Sequence, residues 1–424
     1  SEVSEAYRTT FVYVTLVSGG RARTFGFPLG IVPFKVPALG ARALGIAAVI
    51  AAALFSYWRG QDCNFDQLNY HLYIPYALLN DRIGRDIAPA GIQSYFNPTV
   101  YLPFYWLVRH VAPTWVGGIM GALHGANYWL LTALSWRLTA RLAGRERAWA
   151  TLVALAIGVA SPMALSEIGT SFADILIAPL ILAALLFLAK ADDPRDGLSR
   201  GRCLMAAALL AGAAASLKLT FVPYAIGLLA AASIGWTDRR ARLRAAMVTA
   251  AGIAAGFMLV GGAWYGRIWH MFANPIFPYY NALFGSPDYA PTNIHDDFFK
   301  PKTILDGLAY PFRWTVGEPV VGYQVPWRDM RFALLLIVLL GCGVAALARR
   351  YRPARAMPTG WGATDRRLIV FFSVSFAVWL YEFGIQRYAV PLELTLGPVL
   401  VTALAAMLRG RRLRWACLGA ALFA

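Results

Sequence analysis

The sequence predicts an all-α protein that crosses a membrane many times. Of its 424 residues, 58% are apolar and only 14% are charged, whereas a soluble domain usually carries about 25% charged residues. The apolar residues are gathered into runs long enough to span a bilayer, where the backbone must be helical to satisfy its own hydrogen bonds. This composition excludes a soluble enzyme, a disordered chain and a fibrous protein.

Eleven apolar runs are predicted to be transmembrane helices, and the fifth and sixth form a hairpin that turns near Lys218. Two long loops separate spans on one face, and a segment before the first span contains only a short apolar run. We therefore predict an N-terminal segment, 1–40, and a single transmembrane domain, 41–424. The predicted spans cover about 41–58, 115–136, 149–164, 172–190, 203–217, 219–236, 246–267, 331–348, 367–385, 389–408 and 415–424, and the long loops cover about 59–114 and 268–330.

The distribution of charge predicts the orientation of these spans. The formal net charge is +17, and 27 of the 39 Lys and Arg residues fall in the N-terminal segment and in alternate short loops. Cytoplasmic loops carry such an excess of positive charge, so the two long loops are predicted to face the periplasm of a bacterial inner membrane. The basic excess is thereby explained by topology, and no nucleic-acid partner is predicted.

The stretch 96–112 is apolar but is not predicted to span. Counting it as a span would place the arginine-rich loop 137–148 on the outer face. Its Pro, Tyr and Trp content is typical of a helix that lies on the membrane surface. We therefore predict amphipathic helices in the first long loop.

Glycines repeat every fourth residue in the second predicted span, at Gly117, Gly121 and Gly125, and Gly252 and Gly256 do so in the seventh. Small residues at this spacing let two membrane helices approach closely. We predict that both glycine stripes are helix-packing surfaces, since neither has the sequence of a phosphate-binding loop.

The segment directly after the first span carries polar groups at helical spacing. Asp66, Asn69, Tyr70 and Tyr73 are predicted to share one helix face. A carboxylate at the end of a span, under an aromatic-rich loop, is partly desolvated, which raises its pKa and suits a general base. Asp66 is the predicted base, and Asp62, one turn earlier, is the alternative.

This arrangement resembles the GT-C superfamily of membrane glycosyltransferases, which use sugars linked to lipid phosphates. The resemblance rests on a first apolar span, a D-x-x-x-Y-H-L pattern and a Pro-containing amphipathic helix. The pattern is formed here by Asp66, Tyr70, His71 and Leu72. Many members carry an adjacent Asp-Glu pair, whereas Gln67 follows Asp66 in this chain. The resemblance implies that Asp66 activates the acceptor.

Further features occur in the order found in the same superfamily. Glu167 and Asp174 flank a short outer loop, Lys218 lies at a hairpin tip, and Arg387-Tyr388 follows the ninth span. The resemblance implies that Lys218, Arg387 or both contact the carrier phosphate. The substrate-binding candidates are Asp62, Tyr70, His71, Glu167, Asp174, Lys218, Arg387 and Tyr388.

Five of these candidates also have a purely structural interpretation, which the sequence leaves open. The alternatives are a solvated carboxylate for Asp66, a packed histidine for His71, a snorkelling lysine for Lys218, an ion pair with Glu382 for Arg387 and a helix cap for Asp174.

The second long loop is rich in aromatic and amide side chains, which suit stacking on sugars and recognition of hydroxyl groups. It resembles a loop of bacterial members of the same superfamily. His295, Asp296 and Asp297 are candidates for binding a cation, with a solvated turn as the alternative. A mechanism that needs no metal or other cofactor is expected.

The resemblance implies a glycosyltransferase that moves a sugar from a polyprenyl-phosphate donor to a glycan, lipid or protein acceptor by an inverting displacement, with membrane lipid around it. Two alternatives remain. One is a flippase or transporter of lipid-linked saccharide, which is expected to place polar groups in broken helices at mid-membrane. The other is an O-antigen polymerase or ligase, a class whose large outer loop is rich in Arg and His.

Overall fold

The computed structural model describes residues 10–18, 21–29, 39–192, 199–236, 238–317, 328–351 and 361–422. Sixteen α-helices lie in this part of the chain. They are α1 Leu39–Arg59, α2 Tyr73–Leu79, α3 Leu102–His110, α4 Pro113–Leu138, α5 Gly144–Val159, α6 Pro162–Ser166, α7 Ala173–Lys190, α8 Arg200–Leu217, α9 Val222–Ala232, α10 Arg239–Phe272, α11 Asn281–Phe284, α12 Ile304–Val316, α13 Arg331–Tyr351, α14 Ala363–Glu382, α15 Val390–Met407 and α16 Gly410–Leu422.

The predicted helical membrane fold is confirmed, and each predicted span coincides with a helix. Among the described residues, six helices are long and apolar enough to cross a membrane, namely α1, α7, α8, α10, α13 and α15. The predicted total of eleven is not established. Helix α9 has 11 residues and α16 has 13, which is fewer than the roughly 20 that a bilayer requires.

The N-terminal segment departs from the all-α prediction because it contains a β-hairpin. Strands β1 (Thr10–Ser18) and β2 (Arg21–Leu29) pair antiparallel. The first strand includes the run that the sequence analysis treated only as a short apolar stretch. Its β-branched and aromatic residues, in the sequence TFVYVTLVS, favour an extended strand over a helix.

Both glycine stripes pack against neighbouring helices, as predicted. The stripe on α4 faces α1, where a Cβ atom at Gly121 would overlap the carbonyl oxygen of Ala52 and the side chain of Ser56. The stripe on α10 faces α8, where a Cβ atom at Gly256 would overlap the backbone of Leu209. The absence of a side chain therefore lets these helix pairs approach at backbone distance.

Helix α15 lies at the centre of the bundle, whereas α10 lies at its edge. Of the most apolar 18 residues in the span that contains α15, 94% are buried, and α15 contacts α5, α7, α13 and α14. Of the corresponding 18 residues in α10, only 22% are buried. The segment that enters α15 consequently reaches the middle of the protein, and this segment carries Arg387.

The stretch 96–112 forms a short 3₁₀ turn, Pro98–Val100, followed by α3. Because α3 has nine residues, it is too short to span a bilayer. The prediction that this stretch does not cross the membrane therefore agrees with its length in the structure.

Candidate functional site

A π-helical turn, Gln67–His71, follows Asp66 and determines which side chains face inward. The backbone N–H of Leu72 donates to the carbonyl oxygen of Gln67 at 3.3 Å, which closes the wider turn. Such turns occur mostly as single bulges and often at functional sites. The prediction that Tyr73 shares a helix face with Asp66 and Tyr70 is wrong. The Tyr73 hydroxyl instead donates to Asp86 at 3.1 Å.

Two carboxylates and two cations converge from four distant segments to form what we call the ionic cluster: Asp66, Asp174, Lys218 and Arg387. Arg387 Nη1 donates to Asp66 Oδ2 at 2.7 Å, and its Nε lies 3.7 Å from Asp174 Oδ2. Lys218 Nζ donates to the same Asp174 oxygen at 2.5 Å. The hydroxyl of Tyr70 donates to Asp66 Oδ2 at 3.2 Å.

Helix ends position all four members of the cluster. Lys218 directly follows α8, and Asp174 lies in the first turn of α7. Arg387 lies in the 3₁₀ turn Gln386–Ala389, which leads into α15. Glu382, the alternative partner of Arg387, instead accepts a hydrogen bond from Tyr280 at 3.0 Å.

Aromatic rings cover both cations. The Arg387 guanidinium lies 4.8 Å from the centroid of the Phe172 ring, and Lys218 Nζ lies 4.7 Å from that of Tyr388. The Tyr388 carbonyl oxygen accepts a hydrogen bond from Tyr224 at 2.5 Å, which fixes this turn against α9. Ring faces attract cations, so these contacts hold the positive charges in place.

His71 is fully buried beside the cluster. Its Nδ1 atom lies 2.8 Å from Ser171 Oγ, and its ring stacks on Tyr101 with 4.3 Å between centroids. Burial is the main cause that holds the pKa of His71 well below its usual value, and the positive charges of Lys218 and Arg387 lower this pKa further. The imidazole is therefore neutral at neutral pH, and its Nε2 atom has no hydrogen-bond partner among the described residues.

Glu167 is buried next to the same charges, with 1% of its surface exposed. Neither of its carboxyl oxygens has a hydrogen-bond partner within the described ranges. Burial, and then the negative charge of Asp174, raises the pKa of Glu167 well above its usual value. Burial thus favours the neutral form of Glu167, which can donate a hydrogen bond, near the charges of Lys218 and Arg387.

Asp62 forms no hydrogen bond or ion pair with Lys218 or Arg387. Its carboxylate accepts a hydrogen bond from the Asn64 side chain, which also donates to Ser171 Oγ at 3.2 Å. Asp62 lines a cavity of about 150 Å³ together with Arg59 and Thr170. Of the two predicted bases, it is Asp66 that contacts the ionic cluster.

A second buried network, which we call the brace, was not predicted from the sequence: Asp329, Arg331 and Glu393. Arg331 donates to both carboxylate oxygens of Asp329, at 2.9 and 2.6 Å, and lies 3.6 Å from Glu393. Glu393 accepts hydrogen bonds from Ser161 Oγ at 2.6 Å and from Gln386 Nε2 at 3.0 Å. The brace therefore joins α6 and α13 to the residue next to Arg387.

One signal in the sequence pointed to the brace. Glu393 is the single acidic residue in the predicted span 389–408, and an ionisable residue in a membrane span usually pairs inside the protein. The sequence does not reveal that its partner is Arg331, because 62 positions separate the two residues and the distance between them is set by the fold.

The candidate cation ligands of the second long loop do not converge. Asp297 pairs with Lys300 at 3.1 Å, and Asp296 accepts from the backbone N–H of Phe298 at 3.2 Å. The ring of His295 contacts Tyr280. No group of three or more His, Cys, Asp or Glu side chains suited to a metal ion occurs in the part of the chain that the structure describes.

Comparison with known proteins identifies the fold. No protein-family model and no curated protein sequence matches the chain. Among solved structures, it matches the crystal structure of ArnT from Cupriavidus metallidurans bound to undecaprenyl phosphate, with a TM-score of 0.52 and 16% sequence identity. The chain has a GT-C fold.

The match extends over most of this chain and confirms the predicted resemblance at the level of the fold. It covers 88% of this chain and 61% of ArnT, so the chain spans about three fifths of the length of that protein. Together with the apolar helices, it identifies a multi-pass membrane protein.

Proposed function

We propose that this protein is a glycosyltransferase that moves a sugar from a polyprenyl-phosphate donor to an acceptor by a single inverting displacement. The observation that carries the proposal is the ionic cluster. It places a partly exposed carboxylate, Asp66, in direct contact with a cation that is suited to binding phosphate. Arginine presents a planar fork of donors that matches phosphate geometry.

In the proposed reaction, Asp66 removes the proton from the acceptor hydroxyl as its oxygen attacks the anomeric carbon. The bond between that carbon and the phosphate oxygen breaks, and the electron pair leaves with the lipid phosphate. Lys218 and Arg387 stabilise the negative charge that develops on the leaving group. Preorganised cations act strongly in such a poorly solvated site.

The ion pair between Asp66 and Arg387 fits this reaction order. In this structure the Arg387 guanidinium occupies Asp66 Oδ2. A phosphate group that competes for Arg387 would release Asp66, so the base becomes available only when the donor is bound. This order would limit transfer of the sugar to water.

The structural neighbour supports the class of donor. ArnT shares the fold and was crystallised with undecaprenyl phosphate, a lipid whose headgroup is a phosphate. In the present chain, Lys218 and Arg387 are the cations proposed to contact such a headgroup. The part of the site that receives the sugar is proposed to be lined by Tyr70, Asp174 and Tyr388, together with His71 Nε2 and the carboxyl group of Glu167.

We further propose that the reaction takes place at the periplasmic face of a bacterial inner membrane and serves a cell-envelope glycan. The arginines at the end of α4 and at the starts of α10 and α16 lie at the helix ends opposite the cluster, as expected for the cytoplasmic side. The acceptor is a glycan, a lipid or a protein. All groups in the proposed mechanism are side chains, and no metal ion is assigned a role.

The test is a transfer assay with mass detection, in which the purified protein receives polyprenyl-phosphate sugars and membrane extract as a source of acceptor. We expect Asp66→Asn to lower the transfer rate by at least about 100-fold, since a positioned general base typically contributes that much or more. The matched control is Asp86→Asn, which removes a carboxylate of the same loop that pairs with Arg82 outside the cluster.

Three outcomes contradict the proposal. Transfer by Asp66→Asn at the rate of the unmodified protein would remove Asp66 as the base. A protein that only moves intact donor across the membrane, without breaking the sugar–phosphate bond, would be a transporter of lipid-linked saccharide. Formation of long polymers or ligation of a preassembled chain would instead indicate a polymerase or ligase.

A further inference from the structure

A groove between α5 and α16 lies at the end of the bundle opposite the ionic cluster. Helix α15 begins near Arg387 and ends at Met407, directly before α16. The groove has a volume of about 240 Å³. Its lining includes Glu146, Trp149, Arg411, Arg414, Trp415 and Leu418.

Two exposed arginines give the groove a basic mouth. Arg411 and Arg414 are three positions apart on α16, a spacing that places both on the same side of a helix. Neither forms an ion pair or a hydrogen bond with any residue that the structure describes. Both guanidinium groups are thus available to an anion.

The single carboxylate in the lining is already engaged. Glu146 Oε1 accepts a hydrogen bond from the backbone N–H of Gly410 at 2.7 Å. Gly410 is the first residue of α16, where the helix dipole favours a negative charge. Glu146 therefore fixes the two helices together and does not occupy either arginine.

Two tryptophans place the groove at the depth of lipid headgroups. Trp149 is 48% exposed and Trp415 is 63% exposed. Tryptophan is enriched where the membrane meets water, because its ring is apolar and its N–H group is polar. Below the mouth, the wall is formed by small and apolar side chains, including Val153 and Leu418.

We propose that this groove binds an anionic phospholipid of the adjoining leaflet, with its phosphodiester headgroup between Arg411 and Arg414. The acyl chains lie along the apolar wall, and the tryptophans flank the glycerol region. Basic pockets between helices at the positively charged face of membrane proteins suit such headgroups. This site is separate from the proposed transferase centre and does not depend on that activity.

The test measures lipid binding to the full-length protein by native mass spectrometry after delipidation. Phosphatidylglycerol is titrated against phosphatidylethanolamine, whose headgroup is zwitterionic. We expect the unmodified protein to prefer phosphatidylglycerol and expect the double variant Arg411→Gln with Arg414→Gln to lose about tenfold or more of that affinity.

The matched control is the double variant Arg242→Gln with Arg244→Gln. These arginines are exposed on α10 near its start and contribute the same charge outside the groove. We expect the control to bind phosphatidylglycerol as the unmodified protein does. All four positions are exposed, so a monodisperse elution profile is expected for each variant.

Three results overturn the proposal. Equal loss in both double variants would show attraction by overall charge without a local site. Equal binding of the two phospholipids would show that the arginines do not select a negative headgroup. Full displacement of phosphatidylglycerol by inorganic phosphate at similar concentration would show a site for a free anion and not for a lipid.

Discussion

Two buried ionic networks lie near the start of α15, and they differ in how completely their polar atoms are satisfied. In the brace, the side chains of Asp329, Arg331 and Glu393 are at most 3% exposed, and each polar atom has a partner. In the ionic cluster, the side chains of Arg387 and Asp66 are 16% and 17% exposed. Within the described ranges, His71 Nε2, both carboxyl oxygens of Glu167 and Asp174 Oδ1 have no hydrogen-bond partner there.

This difference indicates what each network is for. A buried ion pair with all its hydrogen bonds made holds segments in fixed positions, and removing one partner leaves a buried charge without compensation. A cluster with unsatisfied donors and acceptors has room for a ligand to complete it. The brace therefore holds the site, and the cluster is the place where chemistry is proposed.

The largest predicted effect is the loss of stability when the brace is broken. Arg331→Met leaves the buried carboxylates of Asp329 and Glu393 without their cation. We expect this variant to lower the free energy of unfolding by about 3–5 kcal/mol, measured by thermal unfolding in detergent. The matched variant Arg387→Met is expected to change the melting temperature much less, because Lys218 and Tyr70 still contact the cluster carboxylates.

The second prediction concerns activity, for which Arg387→Met is expected to have a large effect although its effect on stability is small. Arg387→Met is expected to lower the transfer rate by about 100-fold, since removing one donor from a site of developing negative charge typically has this effect. The measurement is the initial rate of sugar transfer at saturating donor. Full activity of Arg387→Met, together with stability as low as that of Arg331→Met, would show that the cluster is a second structural brace.

The third prediction concerns the pH dependence of stability. Because folding raises the pKa of Glu167, the folded protein holds a proton that the unfolded chain releases above its usual carboxyl pKa of about 4.3. Stability from this group is present at low pH and decreases as the pH rises toward the raised pKa. We expect a contribution of up to about 1.4 kcal/mol per pH unit.

Glu167→Gln removes this titration and retains the shape and a hydrogen-bond donor. Melting temperatures of both proteins between pH 5 and pH 7 are the measurement. As the pH rises, the melting temperature of the variant is expected to increase steadily relative to that of the unmodified protein. Parallel curves for the two proteins would mean that Glu167 is not held in its neutral form.

The smallest predicted effect comes from a neutral contact near the cluster. Asn97 Nδ2 donates to the carbonyl oxygen of Ser216 at 2.9 Å and ties the first long loop to the end of α8 that carries Lys218. Asn97→Ala removes this bond and the hydrogen bond that Asn97 Oδ1 accepts from the Thr99 N–H at 3.0 Å, which together are expected to lower stability by about 1–2 kcal/mol. A loss as large as that of Arg331→Met would show that charge is not what distinguishes the brace.

Most of the helical fold follows from the sequence because lipid imposes strong rules on it. Apolar runs and the glycine repeats at Gly117, Gly121 and Gly125 are local features, and both are found where they were expected. The hairpin of the N-terminal segment was missed, because its apolar run was judged by length and not by its alternation of β-branched and aromatic residues.

The contacts of the site were less predictable because they join residues far apart in the chain. The nearby Glu382 was the partner for Arg387 that the sequence suggested. In the structure Arg387 pairs with Asp66, which lies 321 positions away in the sequence. Helix α14 ends at Glu382, and Gly384, with a φ of +63°, lies in the turn that leads from there to Arg387. The π turn after Asp66 was also missed, since a pattern of 3.6 residues per turn contains no sign of it.

The central claim is that Lys218 and Arg387 bind the phosphate of a polyprenyl donor. It is tested most directly by measuring the affinity of the purified protein for polyprenyl phosphate and for the uncharged polyprenol. The double variant Lys218→Gln with Arg387→Gln is compared with Arg267→Gln and Lys300→Gln, two cations that pair with Asp81 and Asp297 outside the cluster.

We expect the unmodified protein and the control to prefer polyprenyl phosphate strongly over polyprenol. The cluster variant is expected to lose about 100-fold in affinity for the phosphate form, as two hydrogen bonds to a charged group would give. Equal affinity of the cluster variant and the control for polyprenyl phosphate, or equal binding of polyprenol by the unmodified protein, would contradict the account.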